Sequence, residues 1–200
     1  LTWRDTINLS RAPQLTLDSI ADFCETAAFV PKATYSLFGL NQPQDYIDSV
    51  RWTFVGACVP AGQTSTLFNP DTVRYCQPGT YTVCVTAYNR CGSATACRTF
   101  DVLDGPNLNF VLDKDKICLG DMVQVTNSST GDQLEYTWSI SPSGPTFAPN
   151  NTAGAPKITF PNNLAIGNYV LSVSVKNAVC PPLTWRDTIN LSRAPQLTLD

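Results

Sequence analysis

Apolar and polar residues alternate along most of this chain with a period of two. Leu134, Tyr136, Trp138 and Ile140 fall on one side of their segment and Glu135, Thr137 and Ser139 on the other. Tyr169, Leu171, Val173 and Val175 likewise oppose Ser172 and Ser174. The scheme recurs earlier, with Val50, Trp52 and Phe54 on one face of their strand and Tyr81, Val83, Val85 and Ala87 on one face of theirs. Alternation of this kind marks half-buried strands. The segments are short and separated by Pro, Gly, Asn and Asp turns, and none reads as a long amphipathic helix. The pattern predicts all-β structure, with antiparallel sandwiches of about seven strands each.

The same pattern occurs twice. Trp52 answers Trp138, Gly79, Thr80 and Tyr81 answer Gly167, Asn168 and Tyr169, and Asn89 answers Asn177. A stricter repeat overlies this one: residues 1–18, LTWRDTINLSRAPQLTLD, return unchanged as residues 183–200, a period of 182 residues. Fixed-period self-similarity is the signature of repeat architecture. The expected organisation is a sandwich over residues 13–105, a second over 106–194, and the start of a next copy over 195–200. Residues 1–12 are expected to hold the closing strand of a preceding copy, because residues 1–11 match residues 183–193. Trp3, Ile7 and Leu9 then need a neighbour, either in a longer chain or by strand addition to another molecule.

The segments YTWSISP and PNNLAIGNYVLSVSVKN resemble the signature of the PKD (polycystic kidney disease) domain: an aromatic-x-Trp strand, then a Gly-x-Tyr strand of alternating aliphatics ending in Asn. A Trp on one central strand and a Tyr whose hydroxyl ties down a corner also fit immunoglobulin-like sandwiches. The resemblance covers both halves and implies two tandem immunoglobulin/PKD-like sandwiches per repeat, plus an N-terminal strand of a preceding copy. Both halves depart from the family's usual Gly-Asp-Gly after the Trp strand, offering Gly56-Ala57-Cys58 and Ser141-Pro142-Ser143-Gly144. Similar cysteine-bearing modules are strung together in giant bacterial surface adhesins, gliding-associated proteins and extracellular fibres.

Composition narrows the function. Charged residues make up 14% and the net charge is -3, so no basic stripe exists to attract nucleic acid. No apolar run approaches the roughly 18 residues of a membrane span. Eight cysteines beside no histidine imply an oxidising compartment, extracellular or at the bacterial cell surface, with any export signal expected upstream. Cys118 and Cys180, the two cysteines of the second half, are expected to pair, and by correspondence Cys24 with Cys91. Each bridge would close a long loop worth roughly 4 kcal/mol in the chain-entropy model. Cys58 ends the Trp strand and Cys76 precedes the Tyr strand, which makes them a third pair. Cys84 and Cys97 share the outer face of one hairpin and either bridge it or cross-link neighbouring molecules. Six cysteines in one domain allow fifteen connectivities, so topology guides this assignment without fixing it.

The absence of histidine excludes Ser-His-Asp and Cys-His catalysis and histidine-bound metals. No carboxylate pair suits a glycosidase, and no Cys-x-x-Cys suggests zinc. Asp113, Asp115 and Asp121 could gather round calcium, against the plainer reading of solvated turn charges. No catalytic residue, cofactor or metal is therefore expected. Five tripeptides read Asp, then Ser or Thr, then an aliphatic residue, with Thr6, Ser19, Ser49, Thr72 and Thr188 in the middle. They resemble the O-glycosylation acceptor of a large Gram-negative group whose surface proteins carry PKD-like repeats, although Asp before a β-branched pair also starts strands well. Asn-x-Ser/Thr sequons at Asn8, Asn127, Asn150 and Asn190 matter only in a host with that pathway.

These features predict a structural, non-catalytic tandem-repeat unit of an extracellular filament or adhesin stalk. Its partners are adjacent copies of the repeat and, by strand addition, neighbouring chains. Strand lengths put one period at about 70 to 90 Å. The alternative is a glycan-binding or cell-adhesion module, which needs an exposed aromatic and polar cluster in residues 38–42 or 141–151.

Overall fold

The computed structural model describes residues 3–5, 11–36 and 47–194. The chain divides into two compact units, Leu1–Leu103 and Asp104–Asp200.

In the first unit the strands are β1 (Gln14–Leu17), β2 (Phe23–Cys24), β3 (Ala27–Phe29), β4 (Ala33–Ser36), β5 (Ser49–Phe54), β6 (Thr64–Ser65), β7 (Val73–Tyr75), β8 (Gly79–Asn89) and β9 (Gly92–Leu103). One sheet runs β2-β9-β8-β5-β6, and facing it are the pairs β1-β4 and β3-β7. The second unit comprises β10 (Phe110–Leu112), β11 (Lys116–Cys118), β12 (Met122–Asn127), β13 (Glu135–Ser141), β14 (Thr146–Ala148), β15 (Lys157–Thr159), β16 (Gly167–Lys176) and β17 (Leu183–Ser192). Its sheets run β11-β17-β16-β13 and β10-β12-β15-β14.

Both units are sandwiches of seven strands written in more than seven pieces. The first strand of each changes sheets: β1 pairs with β4 but β2 with β9, and β10 pairs with β12 but β11 with β17. The two changed pairings are parallel, the one departure from the antiparallel expectation. In the second unit Asp113-Lys114-Asp115 spans this crossing. Asp113 Oδ1 accepts the Gln124 N–H at 2.8 Å and the Asp115 carbonyl accepts the Asn190 N–H at 2.7 Å. In the first unit Pro31, which has no N–H to give, interrupts what would otherwise be one strand, β3 plus β4.

The alternating apolar positions form the cores. Val50, Trp52, Phe54, Val83, Val85 and Ala87 are at most 1% exposed, and Trp138, Tyr169, Leu171, Val173 and Val175 at most 2%. Each core tryptophan spends its indole N–H on a loop carbonyl, Trp52 Nε1 on Leu67 at 3.0 Å and Trp138 Nε1 on Ala153 at 2.8 Å. Each Gly-x-Tyr tyrosine ties its corner: the Tyr81 hydroxyl donates to Gln77 O at 2.9 Å and the Tyr169 hydroxyl to Ala165 O at 2.8 Å. A buried indole or phenol usually finds such a partner.

Candidate functional site

The features of the first unit that go beyond packing lie on its outer face. β8 and β9 pair along their whole length, with Cys84 opposite Cys97. Period two turns these cysteines away from the buried Val83 and Val85. The two are bridged with 4.1 Å between Cα atoms. Above and below, the same face carries Thr80 donating to Asp101 Oδ1 at 2.7 Å, Thr82 and Thr99 sharing a hydroxyl hydrogen bond at 3.2 Å, and Thr86 and Thr95 at 2.9 Å. Every outward pair from Thr80 to Thr86 is thus cross-linked by a hydrogen bond or a disulfide. Such cross-strand pairs contribute about 0.2–1 kcal/mol each, and a disulfide closing so short a loop about 3 kcal/mol.

Cys58 is bridged to Cys76, Cα to Cα 6.0 Å. The bond fastens the loop after β5 to the residue following β7, and those strands belong to opposite sheets. The Cys58 N–H also donates to the Arg74 carbonyl at 2.8 Å. This bridge therefore holds the two layers together where the hairpin bridge stiffens one of them.

The remaining four cysteines correct the expected pairing. Cys91 and Cys118 are free thiols, so Cys24 does not pair with Cys91, nor Cys118 with Cys180. Strand register gives the reason. Cys24 stands beside Leu103 at the end of β9, whereas Cys91 lies in the turn before β9 begins. The twelve residues of β9 put roughly 35 Å between those positions at about 3.3 Å per residue. Cys118 stands beside Ser192 at the end of β17, and Cys180 precedes the start of that ten-residue strand, again roughly 30 Å away. A disulfide spans at most about 7 Å between Cα atoms. The correspondence of Cys24 with Cys118 and of Cys91 with Cys180 holds, but each correspondence joins like poles of the two units. Cys24 and Cys180 are both in disulfide form.

An asparagine organises each turn that bears one of these cysteines. Asn177 is 4% exposed. Its Oδ1 accepts the N–H of Val179 at 3.1 Å and of Cys180 at 2.7 Å, while its Nδ2 donates to the carbonyls of Asp104 at 3.0 Å and Asp132 at 3.2 Å. Asn89 repeats this at its own turn: Oδ1 accepts the Cys91 N–H at 2.9 Å and Nδ2 donates to the Arg11 carbonyl at 2.7 Å. Each asparagine so ties the turn before the last strand to the segment that enters the sandwich. The match of Asn89 with Asn177 is visible in the sequence, but its purpose is not, because the carbonyls it holds lie far away along the chain.

Of the acceptor hydroxyls, Ser19, Ser49, Thr72 and Thr188 are exposed, and Val50, Val73 and Ile189 next to the last three are buried. Thr6 lies outside the described residues, as do residues 38–42 and 195–200. In the other loop named for ligand binding, Phe147 is half-buried and packs on the core. Among the described residues no three or more of His, Cys, Asp and Glu cluster as a metal site would require. Asp121 Oδ2 instead accepts the Cys118 N–H at 3.0 Å and meets Lys114 Nζ at 3.7 Å. No helix among the described residues is long and apolar enough to cross a membrane, which leaves β-barrel spans unaddressed.

Residues 26–102 match the family model of the PKD domain. The first unit is a PKD-like domain. The match takes in the Trp strand, the Tyr strand and both bridges of that PKD-like unit. Among solved structures the chain is similar to immunoglobulin domains 1–4 of Sidekick-1, with 13% identity and a TM-score of 0.55 over 92% of this chain and 49% of that one. It is also similar to extracellular domains 3–5 of Drosophila OTK, with 15% identity and a TM-score of 0.53 over 91% of this chain and 62% of that one. Murine CEACAM1b matches at 14% identity and a TM-score of 0.50, over 90% of this chain and all of that one. At these identities the likeness shows an immunoglobulin-like fold. This chain spans less than two thirds of the length of the Sidekick-1 and OTK structures. No curated protein matches it significantly in sequence. Disulfide-bonded PKD-like and immunoglobulin-like sandwiches are of an extracellular type.

Proposed function

We propose that this chain is one period of a structural, non-catalytic array of disulfide-stapled sandwiches that forms the stalk of a filament or adhesin at a bacterial cell surface. The 182-residue repeat carries this reading, because residues 183–192 are the last strand of the second sandwich and their identical counterpart opens the chain. Two further observations support it. The outer face of the β8-β9 hairpin is cross-linked pair by pair from Thr80 to Thr86, which resists shear and proteolysis. Each unit ties its entry segment to an opposite turn through a single asparagine, a device suited to modules held in series. The exposed Ser19, Ser49, Thr72 and Thr188 are proposed O-glycan acceptors, with Thr6 proposed on sequence alone. Glycans there would shield the rod while the buried neighbours keep each strand in place.

Immunogold labelling of native cells with antibody raised against the full chain tests the proposal. Labels repeated along surface filaments are the expected result. A label confined to filament tips, or found only on secreted monomers, overturns it, and micromolar binding of the full chain on a glycan array would establish the adhesion-module alternative. Hexose mass on peptides carrying Ser49 and Thr188 checks the acceptors.

A further inference from the structure

The two free thiols lie in different units, and the local contacts of each point to one junction once repeats are joined. Cys118 is in register with Ser192 and donates toward or accepts from its hydroxyl, Sγ to Oγ 4.0 Å. The residue after Ser192 is Arg193, whose counterpart one period earlier is Arg11. The Arg11 carbonyl is held by Asn89 Nδ2, and Asn89 Oδ1 holds the N–H of Cys91. Within one copy, therefore, Cys118 lies beside the exit strand, and Cys91 lies beside the entry segment that continues that same strand in the next copy.

Each half of this sequence of contacts has a counterpart within one unit of this chain. Cys24 is in register with Leu103, the carbonyl of the next residue, Asp104, is held by Asn177 Nδ2, and Asn177 Oδ1 holds the N–H of Cys180. Cys24 and Cys180 are both half-cystines. Their counterparts Cys118 and Cys91 differ in being free thiols, and in a tandem array the residue that answers each lies in the neighbouring repeat. Cys91 is exposed and Cys118 partly so, which leaves both open to a partner and to a thiol oxidant.

We propose that Cys118 of one repeat forms a disulfide with Cys91 of the following repeat, so that every junction between repeats is covalently latched. The inference rests on the tandem reading above. Its chemistry is thiol–disulfide exchange: one thiolate attacks a carrier disulfide of the glutathione or thiol-oxidoreductase class, and the second thiolate displaces the carrier from the mixed disulfide. The two cysteines lose two protons and two electrons, and the carrier leaves as two thiols. A carbonyl held by asparagine on one side and a strand neighbour on the other pre-position the sulfurs, which raises their effective concentration.

The test is a disulfide map of the native protein, alkylated before reduction and digested without it. The expected result is a single cross-linked peptide containing Cys91 and Cys118, with alkylation of each at least tenfold lower than after reduction. The Cys118→Ser variant is expected to restore alkylation of Cys91 tenfold or more while Cys84 and Cys97 stay bridged. Full alkylation of both thiols in the unreduced protein, or homotypic Cys91–Cys91 links, overturns the latch. The length of the fully reduced parent chain separates the two ideas. Many periods with free thiols remove the latch and keep the array, whereas a single period with linked thiols removes the tandem backbone and keeps the latch.

Discussion

The same eighteen residues occur twice in this chain, and Trp3–Asp5 of the first copy differ from their counterparts in the second. As residues 183–192 they form the ten-residue β17, in which Ile189 and Leu191 are at most 2% exposed and Trp185 packs on Phe110 and Trp138 with ring centroids 5.4 and 6.3 Å away. In the first copy Trp3–Asp5 carry no strand, and Trp3 is 85% exposed. The second part is described in the first copy, where β1 pairs with β4 and Leu17 is 1% exposed. For these three residues identical sequence has unlike outcomes, so strand propensity alone is not what holds them. β17 exists because β16 offers nine partners in register and β11 a further three, and the apolar face has a core to enter. This is the general rule that strand preference records packing context.

Substitution of the matched tryptophans breaks the comparison most directly. Trp185→Ala removes a half-buried ring from an aromatic cluster and is expected to cost about 3 kcal/mol, the lower end for large aromatic truncations. Trp3→Ala in the isolated chain is expected to change stability by less than about 0.5 kcal/mol. Urea unfolding of the full chain, followed separately for each unit, reads both. A comparable loss at both positions would mean that the first copy is packed after all.

A second contrast lies between the units, since both intra-unit bridges belong to the first. Replacing Cys84 and Cys97 by alanine is expected to lower the stability of the first unit by about 3 kcal/mol and to leave the midpoint of the second unchanged. Hydrogen exchange resolved by segment checks this. The paired asparagines differ in degree. Asn177→Ala strands four backbone partners in a buried site and is expected to cost about 2–3 kcal/mol, while Asn89→Ala, half-exposed, costs about 1 kcal/mol. Equal losses would show that burial does not set the difference.

A small effect is also expected at Tyr75. Its side chain is 0% exposed, and its hydroxyl has no hydrogen-bond partner among the described residues. Burial, and then the nearby Tyr81, push its phenol up to about 12. A raised phenol in the folded state contributes stability that is whole below the ordinary value of 10 and is lost as pH climbs from 10 toward 12. Tyr75→Phe is expected to be neutral or to stabilise by about 1 kcal/mol near neutral pH, and to flatten the alkaline fall in stability. Thermal midpoints measured from pH 8 to pH 12 for both proteins decide it.

Much of this was legible in the alternation of residues. The inward faces of the Trp and Tyr strands, the corner tyrosines, and the placing of Cys84 opposite Cys97 follow from period two and the pairing of adjacent strands. The pairings of Cys24 and Cys118 did not follow, because correspondence between domains says which residues are alike and not which poles they occupy. Only the parallel register of β2 with β9 and of β11 with β17 reveals that the cysteines expected to pair sit at opposite ends of a strand roughly 30 Å long. The acidic run at Asp113 reads equally as a cation site or a turn until its carboxylate and carbonyl are seen receiving N–H groups at the sheet crossing. The role of Asn89 was hidden for a related reason, since its partner Arg11 is far off in sequence.

Electron cryo-microscopy of the native, unreduced protein addresses the central claim most directly. The account predicts a filament of globular modules in series, with an axial period of about 70 to 90 Å for each 182-residue repeat and density linking Cys118 to Cys91 at every second junction. Dispersed two-domain particles, or a filament whose period bears no relation to that repeat, would contradict it.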